Sequence, residues 1–280
     1  LNELELKEKL QAFARMDFKL EENADVSLLL PDMLQYIGST DSVLRDDLIY
    51  SALASWILEY RLINPEILRD LAMQVITDDH IFYRIGEVGT DSVFRRSFSM
   101  LLLPLILIYH RSQPFLSKED IYRIKDALLR YEKEEKDHRG FVEVKGWAHS
   151  AAHYADALDD LARCGEMDAS DLREILLTVA SMLSQQDWAY CWGEDDRFAT
   201  VILAVLGRQL LSNEEIEEWI RSLSESVLAV TVHPQKMILR SNIKNFLQSL
   251  YFRVQWEFPA HAILPTVERA LYRISPYTRK

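Results

Sequence analysis

The apolar positions of this chain recur mainly at helical spacing and group into pairs of helices. Ser-Thr-Asp precedes one apolar run at residues 39–41, and SKEDIYRI and SNEEIEEWI have the Ser-x-x-acid pattern of a capping box. No segment alternates apolar and polar residues for long enough to predict a strand. The pattern predicts five helix pairs: 41–60 with 65–76, 91–111 with 117–136, 147–163 with 169–184, 195–210 with 213–229, and 236–255 with 262–274.

The helix pairs also resemble one another in sequence. IGSTDSVLRDDL begins at Ile37 and VGTDSVFRRSFS begins at Val88, and both contain T-D-S-V, an apolar residue and Arg. A period of roughly 40 to 50 residues with two helices in each unit is typical of helical-repeat proteins, in which each unit buries its apolar face against its neighbours. We therefore predict an all-α, HEAT/armadillo-like α-α superhelix (α-solenoid) of about five helix pairs, forming a single domain over residues 1–280.

Composition narrows the function classes. The net charge of −12 disfavours nucleic-acid binding, because an acidic protein repels the phosphate backbone. Two cysteines are too few for a disulfide framework. The longest apolar run, Phe98–Tyr109, contains a proline and is too short to span a bilayer, so it predicts a buried core helix. The N-terminal residues do not have the pattern of a signal peptide, and we expect a cytoplasmic protein without a membrane partner.

The most unusual stretch is HRGFVEVKGWAHSAAHYADALDDLA, residues 138–162. On a helix over 147–163, one sector is predicted to face the core, and it contains Trp147, Ala151, Tyr154, Leu158 and Leu161. The opposite sector forms a polar stripe, which contains His149, His153, Asp156 and Asp160. The histidines are therefore predicted to lie away from the core.

Three interpretations of the polar stripe stay open. Histidines four residues apart, His149 and His153, can bind one divalent metal, and Asp156 one turn later can supply a third ligand. A His–Asp pair can instead act as a general base. The third interpretation is a solvated helix face in which His–Asp and Asp–Arg pairs form locally.

Two other groups of residues have two interpretations each. The connection QQDWAYCWGEDDRF contains Trp188 and Trp192, which either form a ligand-binding edge or anchor the preceding helix before an acidic helix start. A second group lies at one equivalent position in the repeats. It forms either a row of positive charges that binds an acidic ligand (a cationic ladder) or internal ion pairs with residues such as Asp46 and Asp91. Its members are Arg45, Arg95, His149 and Arg240.

These motifs carry a resemblance to a known family. GWAHSAAHYADALDDLA, GSTDSVLRDDL, GTDSVFRRSFS and WGEDDRFA resemble a bacterial family of uncharacterised cytosolic proteins, a domain of unknown function with a GW-x-HS-x-AH-x-x-D motif. The resemblance extends from about Ile37 to about Leu250. It implies an all-helical repeat fold, and it implies no activity.

Together, these patterns predict a binding or interaction module that uses a concave face for a protein or peptide ligand. The predicted ligand-binding residues are Trp147, His149, His153, Asp156, Asp160, Trp188 and Trp192. The alternative is a metal-assisted hydrolase whose ligands are His149, His153 and Asp156. No cofactor is expected other than this divalent metal, and whether the protein is an enzyme stays open.

Overall fold

A computed structural model describes residues 1–20 and 25–276 of the 280-residue chain. Within these residues the protein is mostly helical, and one short hairpin is its only sheet, which confirms the predicted all-α class. The chain divides into two compact units, Leu1–Ala157 and Leu158–Lys280, and the boundary falls inside a helix. The single domain over residues 1–280 stays a prediction.

The first unit contains most of the helices. They are α1 (Glu3–Ala14), α2 (Leu30–Gln35), α3 (residues 43–59), α4 (Pro65–Val75), α5 (Ser92–Met100), α6 (Leu102–Ser112), α7 (Lys118–Glu134) and the first half of α8 (Ser150–Ala162). A 3-10 turn, Val26–Leu29, precedes α2. Helix α3 is continuous, with wide π-type turns over Val43–Tyr50 and Ser55–Glu59 on either side of an α-helical turn over Ser51–Ala54. Helix α4 packs between α6 and α7, and α1 packs on α3.

The second unit contains the end of α8 and five further helices. They are α9 (Ala169–Leu183), α10 (Glu194–Arg208), α11 (Asn213–Ala229), α12 (Gln235–Glu257) and α13 (Leu264–Ile274). Helix α10 packs on α12, and α11 packs on α13. Ser212 accepts from the amide of Glu215 at the start of α11, which confirms the predicted capping box, and Ser117 and Asp120 form the same motif in α7.

The prediction that the chain has no strand is wrong at one place. Strands β1 (Phe141–Val142) and β2 (Gly146–Trp147) form an antiparallel hairpin immediately before α8. Gly146 has φ +80° and His149 has φ +48°, which are not helical values, so α8 begins at Ser150 and not at residue 147. The first residues of the predicted helix therefore belong to the hairpin and to the turn that follows it.

The long apolar run is a core element, as predicted. Ser92–Ser112 is apolar and long enough to cross a membrane by length and composition, but 89% of its apolar window is buried inside the protein. Pro104 cannot donate a backbone hydrogen bond to Met100, and the helix is interrupted at Leu101 between α5 and α6.

A buried histidine connects α4 to α5. His80 is 2% exposed, and its ring nitrogens lie 3.1 Å from the Ser99 hydroxyl and 3.2 Å from the Gln74 amide nitrogen. Burial, with a smaller contribution from Arg95, lowers the pKa of His80 to about 4. The folded protein therefore holds this imidazole neutral at pH values where the unfolded chain protonates it.

We expect this histidine to make stability fall in acid. Between pH 6.5 and about 4, the unfolded state binds a proton at His80 that the folded state does not bind. The stabilisation that depends on neutral His80 is complete above pH 6.5 and is lost as the pH falls to about 4. The free energy of unfolding falls by an amount on the order of 3 kcal/mol over this range. Urea unfolding of the wild type and of His80→Gln at pH 7 and pH 5 measures this effect. The wild type should lose more stability than the variant, and parallel losses would exclude His80 as the source.

Candidate functional site

The predicted site residues lie in three places and in both units. Trp147 is in β2, and His149, His153 and Asp156 lie just before or within the first half of α8. Asp160 lies in the second half of α8, and Trp188 and Trp192 lie in the connection between α9 and α10. The structure brings Trp147, His149 and His153 together in the first unit.

These three residues belong to a row of five rings that leads from the surface into the core. Ring centroids are 5.1 Å apart for Phe141 and Trp147, 4.4 Å for Trp147 and His149, and 5.8 Å for His149 and His153. His153 then meets Phe98 of α5 at 5.0 Å, edge to face. Exposure falls from 48% at Phe141 and 37% at Trp147 to 3% at Phe98. We call these five residues the aromatic row.

The predicted orientation of α8 is wrong for two members of the row. His153 is 7% exposed and its Nδ1 lies 3.1 Å from the Ser97 carbonyl, so it is a core residue. The sequence pattern places Trp147 in the core stripe, but in the structure it precedes the helix and is exposed. The physical reason is that α8 is buried on both faces, since alanines let neighbouring elements approach it closely. Asp160, on the same predicted polar stripe, is also 7% exposed.

The predicted metal ligands His149, His153 and Asp156 lie just before α8 or in its first half. Within residues 1–20 and 25–276, no group of three or more His, Cys, Asp or Glu side chains is arranged to hold a metal ion. His149 and His153 are close, but His149 stacks on Trp147 and His153 directs Nδ1 to a backbone carbonyl. Asp156 is half-buried one turn further along α8. The metal site stays a prediction.

Arg45 of α3 lies beneath the hairpin and is completely buried. Its Nη2 donates to the carbonyls of Lys145 and Trp147 at 2.9 and 3.3 Å. The guanidinium also lies 4.4 and 4.6 Å from the ring centroids of Phe94 and Phe98. Arg45 therefore fixes the backbone on both sides of Gly146 and contacts the inner end of the aromatic row.

Asp46 provides the negative charge next to Arg45. Its Oδ1 lies 2.7 Å from Arg45 Nε, although the two groups are not aligned as a hydrogen bond. Burial raises the pKa of Asp46 to about 6, against the opposing effect of Arg45. The predicted internal pairing is confirmed for Arg45. Arg95 also bonds internally, but to the carbonyls of Asp79 and Gln35.

Gly146 lets the hairpin approach α3 closely. Its φ of +80° favours glycine, and a Cβ at this position would lie 2.8 Å from Ser42 Cβ and 3.2 Å from Arg45 Nη2. Sequence reasoning identified the Gly-Trp pair as unusual but missed the hairpin and its contact with α3. The close approach and the two hydrogen bonds from Arg45 hold Trp147 in place.

A second buried polar group supports the start of the hairpin. Asp137 is fully buried and accepts hydrogen bonds from the Gly89 amide and from Arg139. The Ser150 hydroxyl, at the start of α8, donates to the Asp137 carbonyl. Both ends of the hairpin segment are therefore attached to buried groups, whereas Phe141 and Trp147 remain exposed.

The Trp188–Trp192 connection is fixed by α12 in the second unit. Asn242 is 1% exposed, accepts from the Tyr190 amide at 2.9 Å and donates to the Trp188 carbonyl at 2.9 Å. Trp192 is 45% exposed, and its amide donates to Glu194 at 2.7 Å. Trp188 is half-buried, and helix α10 begins with three acidic residues. Both interpretations of this connection stay predictions.

The comparisons with known proteins give one match. A family profile described as "Protein of unknown function (DUF2785)" matches residues 81–252, more than half of the chain. The matched range includes the hairpin, α8 and the Trp188–Trp192 connection, whereas Arg45 lies outside it. Neither the comparison with curated proteins nor the comparison with solved structures finds a match.

Proposed function

The chain belongs to the DUF2785 family of proteins of unknown function, and we propose that it is a binding module that recognises a protein or peptide segment. The recognition surface is the exposed end of the aromatic row, Phe141 and Trp147. The observation that supports this proposal is that two large exposed rings stand on a backbone held by buried polar groups.

Exposed aromatic rings on a fixed backbone suit recognition for two reasons. A Trp or Phe side chain offers a large apolar contact area while it loses little conformational entropy on binding. Arg45 and Asp137 hold the backbone before any partner arrives, so little further ordering is needed. Such central aromatic residues contribute a large share of the binding energy in many interfaces.

A helical-repeat scaffold is part of the same proposal. In the second unit, α10 packs on α12 and α11 packs on α13, the alternation expected when helix pairs stack. The superhelix of about five pairs and its concave face stay predictions, and recognition by the hairpin does not depend on them. The cytoplasmic location and the bacterial origin also stay predictions.

The alternative, a metal-assisted hydrolase, has one supporting observation. The imidazole rings of His149 and His153 lie with centroids 5.8 Å apart. A catalytic metal needs at least three protein ligands and an open position, and Asp156 is the predicted third ligand. The binding proposal has stronger support because the exposed rings and the buried polar groups beneath them belong to one continuous arrangement.

Selection from a random peptide library tests the binding proposal. We expect peptides that bind the wild type and lose at least about tenfold in affinity on Trp147→Ala, because truncating a central aromatic residue removes a large part of the contact. The matched control is Trp256→Ala, since Trp256 is 70% exposed in the second unit and contributes to no part of the aromatic row. Peptides that bind Trp147→Ala as tightly as the wild type, or no enrichment at all, would contradict the proposal.

A further inference from the structure

A second surface of the first unit is a polar cleft separate from the aromatic row. It has a volume of about 440 Å³ and lies between the turn at residues 35–40 and the segment at residues 83–95. We propose that this cleft binds a small molecule bearing a phosphate or carboxylate group. The volume falls within the range of about 300 to 1,000 Å³ that is typical of small-molecule sites.

Two arginines lie against the same ring in this cleft. The Cζ atoms of Arg84 and Arg95 are 5.4 and 5.3 Å from the Tyr83 ring centroid. Arg95 is fixed, because its Nε and Nη1 donate to the carbonyls of Asp79 and Gln35. Its Nη2 makes no hydrogen bond to any part of the chain that the structure describes. Arg95 therefore combines a fixed position with a remaining donor group.

Arg84 has most of its donors available. Its side chain is 62% exposed, and its one ion pair among residues 1–20 and 25–276 is a 3.9 Å contact with Glu87. Its backbone has φ +48°, a conformation that non-glycine residues seldom adopt. Arg84 can therefore turn toward a ligand without breaking a short hydrogen bond.

The carboxylates of the cleft already have partners. Ser39 donates to Glu3, Thr90 and Ser92 donate to Glu87, and Lys145 pairs with Asp91 at 2.7 Å.

The bonds from Thr90 and Ser92 lower the pKa of Glu87. Each of these carboxylates therefore has a partner within the protein, whereas the two guanidinium groups have hydrogen-bond donors that can bind a ligand.

The remaining guanidinium donors indicate the ligand class. A guanidinium presents donors in a planar fork that matches the oxygens of a phosphate or a carboxylate. The hydroxyls of Tyr36 and Thr40 also line the cleft and can bond a polar ligand body.

Calorimetric titration with inorganic phosphate and with citrate tests this proposal, at constant ionic strength. The proteins are the wild type, Arg84→Gln and the control Arg61→Gln. Arg61 is a close match, because it has φ +52° and its Cζ lies 5.4 Å from the Tyr109 ring, outside the cleft. We expect saturable binding of at least one anion, weakened about tenfold by Arg84→Gln and unchanged by Arg61→Gln.

Each outcome has a definite meaning. Binding of phosphate alone identifies a phosphorylated ligand, and binding of citrate alone identifies a carboxylate. Absence of binding by both anions, equal weakening by the two substitutions, or tighter binding of spermidine than of either anion would overturn the proposal. The peptide selection is independent of this cleft, so either proposal can fail without the other.

Discussion

Replacing Glu135 with glutamine is expected to lower the free energy of unfolding by about 3 kcal/mol. Glu135 is 1% exposed, and its two oxygens accept from Arg96 Nε and Nη2 at 2.6 and 2.8 Å. Arg96 is completely buried, so the substitution leaves an arginine charge in the core without its counter-charge. The new amide nitrogen also places a donor against the donors of Arg96. Urea unfolding measures the change.

Glu134 provides the matched control, one residue away. It forms an exposed pair with Arg130, in which the two side chains are 38% and 47% exposed. Glu134→Gln is expected to cost less than about 1 kcal/mol, because water screens an exposed pair. If the two substitutions lowered the free energy of unfolding equally, the buried Arg96–Glu135 pair would contribute no more to stability than an exposed pair.

A double variant separates the charge from the wider network. In Arg96→Met with Glu135→Leu both charges are removed, so part of the lost stability should return. Recovery should be incomplete, because Arg96 also donates to the carbonyls of Tyr83 and Glu87, which then lose a partner. Full recovery would show that these carbonyl contacts contribute little.

The second large effect is expected at Gly146. Gly146→Ala should lower the free energy of unfolding by about 3 kcal/mol, because a Cβ adds strain at φ +80° and overlaps Ser42 Cβ at 2.8 Å. Gly193→Ala is the matched control, since Gly193 has φ +85° and no atom within 4 Å of an added Cβ. Its free energy of unfolding should fall only by the cost of the backbone strain, about 1 kcal/mol. Equal losses would mean that the close approach to α3 contributes nothing.

The helices could be predicted from local signals. The residues that cap a helix and the apolar positions that repeat along it lie close together in sequence. Ser117 and Ser212 each have an acid three residues later, and both form capping boxes. Asp91 precedes α5 as predicted, but its carboxylate pairs with Lys145 and does not cap the helix. The local sequence pattern therefore predicted where the helices lie, but it did not predict the partner of every side chain.

The candidate site was harder to predict, because its geometry depends on contacts between distant residues. Arg45 and Lys145 are 100 residues apart in sequence, and nothing local indicates that they meet. The letters FVEVKG do alternate near a glycine, a hairpin signal that the histidine spacing after them obscured. The repeat alignment of Arg45 with His149 also fails, since Arg45 lies inside α3 whereas His149 precedes α8.

The most direct test of recognition by the hairpin is the affinity of a Trp147-dependent peptide for the Gly146→Ala and Gly193→Ala proteins. Fluorescence anisotropy at a temperature where both variants are folded gives the two dissociation constants. We expect binding at least about tenfold weaker for Gly146→Ala, because the hairpin no longer holds Trp147 against α3, and unchanged binding for Gly193→Ala. Equal affinities for the two proteins would contradict the claim that this hairpin is a preorganised recognition surface.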